Sequence, residues 1–199
     1  MKLNGFADKV TFIKGKVEEV TLPVEHVDII ISEWMGYFLL YESMLDTVLY
    51  ARDKWLAADG LMFPDRARMF VAAVEDAKYK YDKIEFWADV YGVDMSVMRK
   101  VALLEPLVDS VDSQAIVSSV CTIMELNLQT MTMADIPFVS SYKLHMNKKD
   151  FVHALVTWFE VGFLHRPITL STSPKFKHTH RKQTIFYLDN AQPVNTGRC

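Results

Sequence analysis

Glu33 and Glu42 flank one short apolar stretch, Ser-Glu-Trp-Met-Gly-Tyr-Phe-Leu-Leu-Tyr-Glu-Ser-Met (32–44). Two carboxylates brought to one place want a cation, and a planar one with forked N–H donors suits them best. Taken alone, the pair has a plainer reading as well. A glutamate in a helix's first turn complements the macrodipole, and Glu33 could be solvated. What would separate the two readings is whether the elements around the stretch aim both side chains at one point.

Those elements can be read from periodicity. Val-Asp-Ile-Ile-Ile-Ser (27–32) is a short, β-branched apolar run, the pattern of a buried parallel strand. From Ser43 to Ala58 apolar residues recur at helical spacing. Glu33 is thereby expected just past a strand's carboxyl end and Glu42 at the mouth of the next helix, where open α/β sheets bind ligands. Val10–Lys14 reads as an earlier strand, and Asp59-Gly60 as a turn into a strand at 61–63 that Pro64 ends.

Beyond Pro64 the pattern becomes one of alternation. Runs at 68–74, 120–129, 138–146, 151–164 and 182–188 predict an antiparallel sheet or barrel. Between them, 79–90 and 96–104 read as helices rich in aromatics and methionines.

Half of the 199 residues are hydrophobic, ample for a core, and no apolar run is long enough to span a bilayer. Cys121 and Cys199 are too few for a disulfide framework and have no metal-ligand spacing, so no metal site and a reduced compartment, cytoplasm or nucleus, are expected. The net charge of −3 hides an asymmetry. Residues 20–62 carry seven acidic side chains against Arg52 and Lys54, while 142–182 carry eight Lys/Arg against Asp150 and Glu160. The acidic region would attract basic peptides. The basic region lacks aromatic interleaving or finger spacing, which argues against nucleic acid.

The stretch 32–44, together with Leu-Tyr-Ala-Arg-Asp-Lys-Trp-Leu (49–56), Asp-Gly-Leu-Met-Phe-Pro-Asp-Arg (59–66), Val-His-Ala-Leu-Val (152–156), Ser-Thr-Ser-Pro (171–174) and Lys-Gln-Thr-Ile-Phe-Tyr (182–187), resembles the protein arginine methyltransferases. The resemblance is strongest to the predominant type I enzymes, which make asymmetric dimethylarginine. It implies the C-terminal part of a Rossmann-type methyltransferase domain (1–63), followed by an incomplete β-barrel domain (64–199). A helical arm at 75–106 would clasp a second subunit to give a homodimer. Glu33 and Glu42 would be the catalytic pair, with Tyr37 and Met44 lining the arginine pocket. Val17, Glu18, Met44 and Thr47 would contact S-adenosylmethionine, the methyl donor. His180 would orient a glutamate or pass on the released proton. Substrates would be arginine-containing proteins, Gly/Arg-rich segments and histones among them.

Three departures from the family pattern carry expectations of their own. The family's glycine-rich cofactor loop and ribose-binding acid do not occur in these 199 residues, nor do the barrel's last strands. On that basis the chain alone is expected to be inactive, with a non-catalytic dimerisation partner or a gene fragment as the alternatives. Arg181 stands where the family has tryptophan, and would bring a cation beside the acidic pocket.

Overall fold

The computed structural model describes residues 2–164 and 166–197. Strand β1 (Val27–Ile31) leads through the glutamate-bearing stretch into helix α1 (Leu45–Trp55), which runs directly into β2 (Leu56–Phe63). β1 and β2 pair in parallel, Ile29 opposite Leu61 and Ile31 opposite Phe63. Asp59-Gly60 is not a turn before this strand. It lies inside β2, where the register slips between the Val27–Leu56 and Ile29–Leu61 pairs. The helix is shorter at both ends than its periodicity predicts, and neither end has a side-chain cap.

After the cis Phe63–Pro64 bond the chain enters an antiparallel sheet. It comprises β3 (Arg66–Val74), β4 (Leu107–Asp109), β5 (Cys121–Asn127), β6 (Asp150–Phe163), β7 (Arg166–Ser171) and β8 (Gln183–Val194). The order is β4-β8-β6-β3-β5, with β7 also on β6. Among the described residues this ladder is open. β6 is its spine: it pairs with β3 along 154–162, with β8 at its start and with β7 at its end. Between β3 and β4 lie α2 (Ala77–Lys83), a 3-10 turn at 85–88 and α3 (Val97–Leu104).

Two predicted strands do not form. Residues 10–14 are exposed and irregular, with no neighbouring strand among the described residues to take their backbone groups. A strand-like run supplies a face but not a partner. Residues 138–146 likewise make only one isolated bridge, Ser118 to Met146, with Val139 wholly exposed. The helix predicted over 79–90 stops at Lys83 and tightens into the 3-10 turn. β4 and β7 had no alternation long enough to read.

The main core joins both parts of the chain. Trp34, Met35, Leu39, Leu45, Val48, Leu49 and Met62 pack in one cluster with Met69, Leu128, Phe159 and Val161. The apolar residues between the two glutamates therefore belong to the core, and this anchoring is what positions the site. Burying them favours the fold by about 1.5–3 kcal/mol per large side chain.

Candidate functional site

The stretch from 32 to 44 is a tight hairpin-like loop. Gly36 N–H donates to the Leu39 carbonyl at 2.9 Å, Tyr41 N–H to the Tyr37 carbonyl at 3.3 Å and Ser43 N–H to the Leu40 carbonyl at 3.0 Å. Phe38, Leu39 and Ser43 hold left-handed φ values of 49°, 57° and 55°. Three non-glycine residues in that region cost about 1–3 kcal/mol each, and such strain persists only where surroundings enforce it. Burial of Trp34 and Leu39, each 1% exposed, supplies the enforcement. So does Phe38, whose ring packs edge-on against Phe186 of β8 at 5.2 Å.

Gly36 makes the close approach possible. A Cβ there would lie 2.8 Å from Glu42 Cγ and 2.9 Å from the Glu42 backbone nitrogen. Without that side chain the loop folds flat enough to bring Glu33 and Glu42 to one place. Their side chains stay 62% and 42% exposed while Trp34, Met35 and Leu39 between them are buried. Tyr37 and Met44 are exposed on the same loop.

The occupant of that place is Arg181. One guanidinium nitrogen, Nη2, pairs with Glu33 Oε1, and Nη1 lies 3.8 Å from Glu42 Oε1. A single planar cation thus spans both carboxylates. His180 beside it is exposed and hydrogen-bonds to neither glutamate.

The segment 16–20 packs against α1. Thr47 Oγ1 donates to Glu18 Oε1 at 2.8 Å, and the Tyr50 hydroxyl to the Glu18 carbonyl at 3.0 Å. Glu18's own backbone N–H, then the Thr47 bond, hold its carboxyl below the usual range against burial, with a smaller pull from Lys16. Val17 is half-buried beside it. Lys54 Nζ in turn donates to the Tyr50 hydroxyl at 3.1 Å. Glu18 and Thr47 thus meet in the first turn of α1, just after the Met44 N-cap. Tyr50 was missed in the sequence, although its place one helical turn after Thr47 was a usable signal.

Two further contacts were not legible from spacing. Arg52 reaches from α1 to donate to the Leu128 and Met131 carbonyls at 2.6 and 2.7 Å. Lys182, next to Arg181, bonds Asp109 at 2.6 Å, and Asp109 also accepts from the Tyr79 hydroxyl at 2.8 Å. Lys182, Tyr79 and the Ser110 N–H hold the Asp109 carboxyl down at about 2, against burial.

Comparison with known proteins decides the kinship. The family described as the arginine methyltransferase oligomerization subdomain matches residues 65–199. Protein arginine N-methyltransferase 1 of Chlamydomonas reinhardtii is 55% identical over 192 residues, 96% of this chain and 56% of that protein. The chain belongs to the protein arginine N-methyltransferase family. The Schizosaccharomyces pombe protein arginine N-methyltransferase 1 is 52% identical over 199 residues, covering 58% of its length. Among solved structures, the Trypanosoma brucei PRMT1 enzyme-prozyme heterotetrameric complex with AdoHcy superposes with a TM-score of 0.93 at 44% identity. That match covers 98% of this chain and 62% of the other. A crystal structure of Arabidopsis thaliana protein arginine methyltransferase 10 gives 0.82 at 31% identity. The chain therefore spans little more than half the length of these methyltransferase relatives.

Proposed function

We propose that this chain carries the arginine-holding part of a protein arginine methyltransferase site. The observation that carries the reading is the hairpin of 32–44, which sets two carboxylates where one guanidinium reaches both. Arginine is a poor nucleophile because its guanidinium stays protonated and delocalised. Glu33 and Glu42, accepting N–H bonds from opposite arms of the fork, fix its plane and gather electron density on one terminal nitrogen. Positioning of this kind lowers a barrier by at most about 7–11 kcal/mol, and the fixed charges add transition-state preference.

S-adenosylmethionine, when bound, supplies an electrophilic methyl group. The residues present fit its adenosine end: Glu18 offers a second carboxylate oxygen beyond the one Thr47 holds, and Val17 gives an apolar surface. Tyr37 and Met44 bound the arginine pocket on its exposed side, and Met44 limits the bulk a methylated nitrogen can add. Asymmetric dimethylarginine is the product this reading assigns. His180, exposed next to the site, takes the released proton to water. The substrates are arginine-bearing protein segments, Gly/Arg-rich stretches and histone tails, in the cytoplasm or nucleus.

The domains at 1–63 and 64–199 divide the work between donor and substrate. The segment 75–106 is the dimerisation arm of the second domain, an incomplete barrel. Tyr81, Tyr91, Val97 and Leu104 lie largely exposed along it, apolar surface of the kind a second subunit covers.

Calorimetric titration of S-adenosylmethionine into the chain tests the reading. Binding that Glu18→Ala abolishes supports a donor site, and methyl transfer to a Gly/Arg-rich peptide then follows. Heat absent from a folded sample assigns the chain instead to a non-catalytic partner role. Arg181, already seated on both glutamates, is the observation that favours that second reading.

A further inference from the structure

Arg181 meets the glutamate pair from a buried position. Its side chain is only 14% exposed, far less than either partner carboxylate. Its Nε is buried and finds no hydrogen-bond partner. A guanidinium has five donors in a fixed fork, and a site shaped around Arg181 would satisfy the buried ones. One close pair to Glu33, a longer one to Glu42 and an orphaned Nε leave the Arg181 fork incompletely matched to the two carboxylates.

The chain also holds it there. On one flank Thr179 Oγ1 donates to the Arg181 carbonyl at 2.8 Å. On the other, Lys182 is tied to Asp109, and Asp109 to Tyr79. Next along, Gln183 is buried, donating to the Thr172 carbonyl at 2.6 Å and accepting from Val111 N–H at 2.8 Å. The backbone carrying Arg181 is thus fixed to β4, to α2 and to the sheet, and little ordering remains to oppose the contact.

We propose that Arg181 is an internal ligand of the guanidinium site, so that an arginine-bearing segment binds only by displacing it. The inference rests on the reading that Glu33 and Glu42 hold a substrate arginine. A site whose open form is a minor population binds more weakly by that fraction. Pairs with carboxylates this exposed are individually weak, and two of them on an anchored loop correspond to an affinity reduced roughly tenfold. Lys182, which contacts neither glutamate, acts as a positioning residue for the occupant.

The test titrates a Gly-Gly-Arg-Gly-Gly peptide, with its lysine counterpart as control, into the wild-type chain, Arg181→Gln and Lys182→Met. Calorimetry reads the affinity, and a 1H–15N fingerprint verifies each fold. Arginine-peptide affinity is expected to rise about tenfold in Arg181→Gln and by a smaller factor in Lys182→Met, with the lysine peptide binding weakly throughout. Arg181→Trp gives the same gain and substitutes for Arg181→Gln should that variant lose its fold. Arginine-selective binding of equal strength in all the chains overturns the internal-ligand role and leaves the glutamate reading standing. No arginine-selective binding in any of them overturns both.

Discussion

Replacing Arg52 by methionine should loosen the junction between α1, which follows the glutamate-bearing loop, and the sheet. Methionine keeps much of the apolar stem, so packing changes little and the lost groups are the donors. Arg52 is 11% exposed and donates from Nη1 to two backbone carbonyls, Leu128 at 2.6 Å and Met131 at 2.7 Å. Its link to Asp53 involves a carboxylate 65% exposed and is worth little. A hydrogen bond from a charged group contributes about 1.5–3 kcal/mol, and a buried carbonyl left unpaired costs about 1–3 kcal/mol. Since water can reach part of the turn at 128–131, the two bonds together are worth about 3 kcal/mol. For a chain of 199 residues this lowers Tm by about 6–12 °C. Urea unfolding and scanning calorimetry would measure it, with Arg52→Lys recovering about half through one retained bond. A loss below about 0.5 kcal/mol would refute the assignment. So would a wild type that melts in two separate steps, because a core shared by both parts requires them to unfold together.

Three other outcomes are expected. Gly36→Ala puts a Cβ within 2.8 Å of Glu42 and should cost about 1–3 kcal/mol while parting the two glutamates, so arginine-peptide binding in an Arg181→Gln background should drop; unchanged binding there would dismiss the close-approach argument. Asp109, depressed to about 2 when folded, contributes stability above its ordinary range near 4 that is lost as pH falls towards 2. The shift corresponds to at most about 2.5 kcal/mol, and screening of a carboxylate one-third exposed reduces it to about 1 kcal/mol. Comparing acid unfolding of wild type and Asp109→Asn checks this, and superimposable curves would contradict it. At the alkaline end, burial first and then Asp109 and Asp76 push the Tyr79 hydroxyl up to about 12, and burial with the Asp76 bond raises Tyr187 further. Stability present below pH 10 should therefore fall as pH rises past it, and phenolate absorbance should show two tyrosines ionising late; all eight titrating together would be the contrary result.

How much was legible divides along the range of the forces involved. The β-branched run at 27–31 and the periodic residues of 45–55 announce a strand and a helix because their side chains repeat with the backbone. Glutamates at either end of the loop between them follow from order alone, and the wording of that loop carries the family. The runs at 10–14 and 138–146 read as strands just as plainly, yet a strand exists only where a second chain segment accepts its hydrogen bonds, and among the described residues none pairs with the first. β4, with three residues, becomes a strand because β8 lies beside it. Arg52 and Lys182 look like any surface cation until folding brings a turn 76 residues away, or a carboxylate 73 residues back, into bonding distance. Arg181 is the sharpest case. Its departure from the family pattern put a cation beside the acidic pocket, but only tertiary structure set its fork on Glu33 and Glu42. The two segments are 148 residues apart, and only packing on the shared sheet holds a guanidinium where two carboxylates meet.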